Sequence, residues 1–137
     1  MTKASGPDPQ SALVMVPRAL LGSSAAILVV AAFVNMQLRT GTGPEVVSWM
    51  AVGWAALAPL VATIVRGQGL VAPPRASAEP AEAVTTRLQK TIVFFGVLES
   101  AVIFAAVALI ASPPSWPLAA ALFPLAVMAL NLPPRRV

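Results

Sequence analysis

One uninterrupted apolar segment constrains the fold of this chain more than any other feature of its sequence. Residues 91–111 form a run of 21 residues in which Glu99 is the only acidic or basic side chain. An α-helix rises about 1.5 Å per residue, so a helix of this length crosses a hydrocarbon core of about 30 Å. The segment therefore predicts a transmembrane helix with a carboxyl group close to the bilayer midplane.

The overall composition agrees with a membrane location. Hydrophobic residues make up 58% of the chain and charged residues 10%, and the mean hydropathy is +0.82. Because soluble domains carry about 25% charged residues, this chain has too little polar surface to dissolve in water. With 137 residues it has room for one compact bundle and for no separate soluble domain.

Three further apolar segments complete the predicted fold, an all-α membrane protein with four transmembrane helices. A first transmembrane hairpin is expected over residues 19–66, with spans at 19–38 and 46–65. A second hairpin, over residues 91–132, joins the segment described above to a shorter span at 117–132. Small residues along the second span predict a close contact with a neighbouring helix. These residues are Ala51, Gly53, Ala55, Ala56 and Ala58.

The distribution of basic residues predicts the orientation of the bundle. Eight of the nine Lys and Arg residues lie in or next to residues 1–18, 67–90 and 133–137, and Arg39 is the single one in the other turns. Since Lys and Arg concentrate on the cytoplasmic side, these three segments are expected to be cytoplasmic. We therefore predict a multi-pass protein of the cell inner membrane, with both termini inside. Residues 1–17 and the long loop are expected to be irregular, apart from a short helix after Pro80.

Several functional classes are disfavoured by what the sequence lacks. The chain contains no Cys and no His, which excludes disulfides, thiolate chemistry, imidazole-ligated haem and the usual zinc sites. No span carries paired acids and no phosphate-binding loop is present, so we expect no enzymatic activity, no cofactor and no metal. The net charge of +4 follows from membrane topology, and we expect no nucleic-acid partner.

Glu99 is the principal candidate functional residue. An ionised carboxylate near the midplane costs at least a few kcal/mol, so Glu99 is expected to be protonated, paired, or facing water or protein. Counting residues from the cytoplasmic end of each span places Ser24 about one turn from the level of Glu99. We therefore expect Glu99, Ser100 and Ser24 to form a proton- or ion-binding site, with a packing role for Glu99 as the alternative.

Two prolines at a similar depth suggest how the acid is housed. Pro59 and Pro124 would leave the carbonyl groups of Ala55 and Ala120 without an intrahelical donor. In lipid, such carbonyl groups must find another donor. We expect a protonated Glu99 and the hydroxyl group beside it to supply these hydrogen bonds.

The segment around Glu99 resembles the carboxylate-bearing helix of the rotary ATP synthase c subunit, the proteolipid of F- and V-type ATPases. In that family a cytoplasmic polar loop leads into a helix on which small residues surround an Asp or Glu. The matching run of about 18 residues contains Arg87, Leu88, Gln89, Gly96, Glu99, Ser100, Ile103 and Phe104. The resemblance implies that Glu99 binds a proton or sodium ion as a ring turns. The long loop, Trp54 on the second span and the two additional spans depart from the family's pattern.

Two functions stay open at this point. The first is an accessory or assembly subunit of a larger membrane complex, in which Glu99 is a docking or packing acid. The second is proton- or ion-coupled translocation through Glu99, as a small carrier or a proteolipid similar to the c subunit. In both cases the expected partners are membrane lipids and either other membrane subunits or further copies of the same chain.

Overall fold

Four α-helices account for nearly all of the residues that the computed structural model describes. The described residues are 8–38, 44–67, 81–111 and 115–133. The helices are α1 (Pro9–Leu38), α2 (Val46–Arg66), α3 (Ala81–Ala111) and α4 (Trp116–Leu130). The predicted all-α class is therefore confirmed for these residues.

Three of the four helices are long and apolar enough to cross a membrane. The qualifying stretches are Ser11–Gln37, Val46–Arg66 and Ala83–Ala111. The fourth helix has 15 residues and is therefore about 22 Å long, shorter than a hydrocarbon core of about 30 Å. The three long spans agree with the sequence analysis, and the fourth span stays a prediction.

The helix boundaries correct the expectation of irregular structure next to two spans. The first helix begins at Pro9, so that expectation is wrong for residues 9–17. Proline is well tolerated in the first turn of a helix, where its missing N–H would have no intrahelical acceptor. The expected helix after Pro80 is confirmed, but it continues without a break into the apolar segment, so the predicted loop is wrong for residues 81–90.

The second helix ends in a way that its sequence explains. Gly67 follows Arg66 and adopts a left-handed conformation with φ of 70°. Its N–H donates to the carbonyl groups of Thr63 and Ile64, at 2.9 and 3.2 Å. Because glycine has no Cβ, it adopts this conformation without the steric penalty of other residues, and it ends the helix at the last residue of the span.

The central element of the bundle is α3. It packs against α1, α2 and α4, whereas α1 and α2 do not pack against each other in the described part of the chain. The short helix α4 also packs against α2 and, over a smaller area, against α1. Consequently α1 and α2 flank α3 and leave one strip of it exposed between them. From residue 91 onward, the exposed residues of α3 recur at helical spacing and are Ile92, Val93, Gly96, Ser100, Ile103, Val107 and Ile110.

Contacts near the helix ends show that successive helices run in opposite directions. Trp49 and Trp116, at the starts of α2 and α4, have ring centroids 4.6 Å apart. Asn35, near the end of α1, donates to the carbonyl oxygen of Leu109, near the end of α3, at 2.6 Å. The ends of α1 and α3 therefore lie together, as do the starts of α2 and α4. The helix α2 runs opposite to α3, because Trp54 contacts Ser100 while Arg66, at the end of α2, contacts Phe94, which is nearer the start of α3.

Alanine is common on the buried sides of α2 and α3. The buried alanines are Ala51, Ala55, Ala58 and Ala62 on α2 and Ala101, Ala105, Ala106 and Ala108 on α3. Such small side chains allow helix backbones to approach closely where lipid supplies no hydrophobic driving force. The predicted close contact along the second span is confirmed for Ala51, Ala55 and Ala58, whereas Gly53 and Ala56 are exposed.

Candidate functional site

Glu99 lies near the centre of α3, two residues from the midpoint of the apolar stretch Ala83–Ala111. Its side chain is half-buried at the seam between α3 and α1. The carboxyl oxygen Oε1 lies 3.1 Å from the hydroxyl oxygen of Ser23 on α1. A polar contact between two parallel helices therefore stands at the level where the sequence places the bilayer midplane.

The Ser23 hydroxyl group has two possible acceptors. Its oxygen lies 3.1 Å from Glu99 Oε1 and 3.0 Å from the carbonyl oxygen of Leu20. A hydroxyl group carries one proton. When Glu99 is ionised, Ser23 can donate to it; when Glu99 is protonated, the acid can donate to Ser23 while Ser23 donates to Leu20. The arrangement therefore accommodates both protonation states of the acid without a change in position.

Ser100 lies at the α2 edge of the exposed strip of α3. Its hydroxyl oxygen accepts a hydrogen bond from the indole Nε1 of Trp54 at 3.1 Å and donates to the carbonyl oxygen of Val97 at 2.6 Å. Because the single hydroxyl proton is directed to the main chain, Ser100 ties α2 to α3 rather than serving the acid.

Ser24 is fully buried, and its hydroxyl oxygen has no hydrogen-bond partner among the described residues. The residue that contacts Glu99 is its neighbour Ser23, which was not among the predicted site residues. Counting residues gives the depth of a side chain but not the direction in which it points, and adjacent residues of a helix point about 100° apart. The three predicted site residues therefore occupy three different surroundings and do not share one cluster.

The expected pairing of the acid with proline-freed carbonyl groups is wrong for the described residues. Glu99 contacts Ser23, and Ser100 donates to Val97, so neither of them bonds to Ala55 or Ala120. Each hydroxyl group on an α-helix can reach the carbonyl oxygen of the preceding turn, and this local bond competes with a bond to a neighbouring helix.

Two arginines converge on the end of α4 and form a second polar cluster. Arg66 is 6% exposed, and its Nη1 donates to Asn131 Oδ1 at 2.8 Å. Its guanidinium carbon also lies 3.7 Å from the centroid of the Phe94 ring. Arg18 donates from Nη2 to the carbonyl oxygen of Pro133 at 2.7 Å. Cations at the end of a helix complement its dipole. Arg18 and Arg66, which were predicted only to mark the topology, therefore also connect α4 to α1 and α2.

Within the described ranges, no group of three or more His, Cys, Asp or Glu side chains is arranged to hold a metal ion. Comparison with protein-family models, curated proteins and solved structures gives no match for this chain. The class is therefore defined by fold and site alone: an all-α bundle with three helices of membrane-crossing length and one carboxyl group at the outer edge of its central helix.

Proposed function

We propose that this chain is a multi-pass membrane protein that acts as an accessory or assembly subunit of a larger membrane complex. In this proposal Glu99 is the acid through which the subunit docks. The termini and the segment between α2 and α3 face the cytoplasm of the cell, in agreement with the distribution of Lys and Arg along the sequence.

The surface of the bundle supports the membrane location. Among the described residues, 21 large hydrophobic side chains are exposed, and they lie on all four helices. Monomeric soluble proteins rarely expose apolar patches larger than a few hundred Å². A helical bundle whose outer surface is this apolar is suited to contact lipid tails or other membrane helices.

The position of Glu99 is the observation that carries the docking role. The acid stands at the outer edge of α3, while the inner side of the same helix at this level is closed by Phe95, Leu98 and Val102, which are at most 1% exposed. A path for ions through the bundle would need polar groups or water along its axis. An acid on the outside is instead placed to meet a group from a neighbouring protein.

The second candidate function is proton or ion translocation at an interface with another subunit, similar to the role of the c subunit. The contact of Ser23 with both Glu99 and Leu20 favours it, because this geometry accepts the acid in both protonation states. In such a mechanism the path would run along the outer surface of α3 and would exist only where a second subunit covers that surface.

The two functions are separated by a pair of measurements on the full chain. In native gels of membranes from the source cells, the wild-type protein is expected to migrate in a complex that Glu99→Leu loses. Glu45→Gln, which changes an exposed acid at the start of α2, is expected to keep the complex. Survival of the complex in Glu99→Leu would refute docking through the acid.

The second measurement uses the purified protein alone in liposomes under an imposed pH gradient. We expect no proton flux above that of empty liposomes, because the half-buried acid at the edge of α3 has no path across the isolated bundle. A flux that disappears in Glu99→Gln would favour translocation by this chain itself.

A further inference from the structure

The three glycines within the described helices lie at one level of the bundle. Gly22 precedes Ser23, which hydrogen-bonds to Glu99. Gly53 precedes Trp54, which hydrogen-bonds to Ser100. Gly96 lies on α3 itself, about one helical turn away. All three are exposed. The exposed strip of α3 around Gly96, together with the edge of α1 at Ser23 and the edge of α2 at Gly53, is called the glycine face below.

The packing of this chain does not require these glycines. A Cβ atom added at Gly22, Gly53 or Gly96 would meet no atom within 4 Å. Glycine destabilises the interior of a helix relative to alanine, so three glycines without an internal packing role call for another explanation. In membrane proteins, glycine is enriched where the backbone of a second helix approaches closely.

The shape of the glycine face fits a long apolar partner. The flanking helices α1 and α2 form its two sides, and the exposed strip of α3 forms its floor. Toward α2 the face deepens into an open groove of about 470 Å³. The groove is lined by Met50, Gly53, Trp54, Leu57 and Phe104, so apart from the indole N–H its lining is apolar.

Glu99 gives the glycine face a chemical preference. At the edge of an apolar surface, its carboxyl group has Ser23 as its hydrogen-bond partner among the described residues. A carboxyl group at this depth is stabilised by a cation or by a further donor. The partner that satisfies both features is an apolar helix with a basic side chain at the level of the acid.

A second copy of the same chain does not supply this chemistry. The basic residues in the described ranges are Arg18, Arg66, Arg87 and Lys90, and none lies within one helical turn of the acid or of Ser23. Another copy in the same orientation would bring a second Glu99 to this level, and like charges at close range repel. The charge of the face therefore favours a different protein.

We propose that the glycine face binds a transmembrane helix of a different subunit, one that carries a Lys or Arg side chain at the depth of Glu99. This inference rests on the proposed docking function and specifies the chemistry of the partner.

The test uses the full chain in phosphatidylcholine vesicles with synthetic transmembrane peptides. The peptides share one Leu/Ala sequence and differ at a single central position, which is Lys, Leu or Glu. Because the chain has no Cys, one cysteine added at its C-terminus carries the fluorescent donor, and the peptide carries the acceptor. Energy transfer as a function of the peptide-to-lipid ratio gives the relative affinities.

We expect the Lys peptide to bind about tenfold more tightly than the Leu peptide, the range that interhelical polar contacts produce in membranes. Glu99→Gln removes this preference, and Glu45→Gln keeps it. Gly96→Leu weakens the binding of both the Lys and the Leu peptide, because the leucine side chain fills the floor of the glycine face. Gly96→Ala weakens the binding of both peptides less. Circular dichroism of each variant checks that the helices are intact, and the Gly96 series keeps the test valid if Glu99→Gln does not fold.

Equal binding of the Lys and Leu peptides would overturn the inference, as would a Lys preference that survives Glu99→Gln. Tighter binding of the Glu peptide would also overturn it. These results are distinct from failure of the docking function. If the native complex still depends on Glu99 while the Lys peptide shows no advantage, the partner chemistry is wrong and the docking role stands.

Discussion

Ser23 and Glu99 join α1 to α3 by a hydrogen bond of 3.1 Å near the middle of both helices. The adjacent Ser24 points into the core, where its hydroxyl oxygen has no partner among the described residues. Two neighbouring serines of one helix thus have opposite roles, although both are the same residue type at nearly the same depth.

This difference predicts opposite effects of two otherwise identical substitutions. Ser23→Ala removes the partner of the acid and is expected to lower the free energy of unfolding by about 1 kcal/mol. Ser24→Ala removes a buried hydroxyl group without a hydrogen bond and is expected to be neutral or slightly stabilising. The measurement is unfolding by a denaturing detergent, followed by circular dichroism. A larger loss for Ser24→Ala would show that the two serines are assigned to the wrong sides of α1.

The same pair of residues marks the limit of what the sequence could predict. The apolar segments around Glu99 and along α2 were readable, because their length and composition match a bilayer. The start of α1 at Pro9 could not be predicted, because a proline at a helix start and a proline in a loop look the same in a single sequence. The side of α1 that carries Ser23 was also unreadable, since an apolar helix in an apolar bundle has polar residues on no particular face.

The packing order of the helices was equally hidden. Helices joined by a short turn are usually neighbours, and the predicted hairpin over residues 19–66 follows that rule. In the described residues, however, α1 and α2 do not pack against each other. Each of them packs against α3 instead. Their separation is also the reason that a strip of α3 stays exposed, and with it the surface on which the proposed partner binds.

The contact of Arg66 with Phe94 and Asn131 predicts a stability effect at the end of α4. Arg66→Leu removes the hydrogen bond to Asn131 and the contact with the Phe94 ring, and we expect a loss of about 1–3 kcal/mol in the free energy of unfolding. Phe94→Leu removes the ring but keeps the hydrogen bond between Arg66 and Asn131. We therefore expect it to lower the free energy of unfolding by less than Arg66→Leu does. Lys90→Leu, at an exposed position of α3, serves as the control with little effect.

A double-mutant cycle between Arg66→Leu and Phe94→Leu isolates the contact between these two residues. We expect a coupling energy of about 0.5–2 kcal/mol, because the guanidinium group lies over the ring face. Additive effects of the two substitutions would show that the ring and the cation contribute independently.

The orientation of the chain can be tested with introduced cysteines. The natural sequence has none, so single variants Lys3→Cys, Arg39→Cys and Arg75→Cys each report one segment. From the positions of Lys and Arg we expect a membrane-impermeant maleimide added to intact cells to label the Arg39→Cys variant alone. The other two are expected to react only after the membrane is opened. Labelling of Lys3→Cys in intact cells would reverse the predicted orientation.

The rotation of α2 about its own axis predicts a sharp contrast between two adjacent alanines. Ala55 is 1% exposed and belongs to the alanine face that packs toward α3, whereas Ala56 is exposed. Ala55→Leu forces extra volume into a close-packed seam and is expected to cost about 1–3 kcal/mol of stability. Ala56→Leu adds the same atoms on an exposed surface, where the added volume displaces no packed neighbour, and is expected to change stability by less than about 0.5 kcal/mol.

The measurement is again detergent-induced unfolding, with each variant compared to wild type in the same lipid and detergent mixture. Because the two substitutions are chemically identical and one residue apart, helix propensity and hydrophobicity cancel between them. Equal losses would mean that α2 is covered on both sides, which would place another helix against Ala56. Gly53 lines the groove at Phe104, whereas Ala56 is exposed and does not line it. A loss of stability for Ala56→Leu that appears only in the native complex would therefore show that a partner also covers the surface of α2 around Ala56.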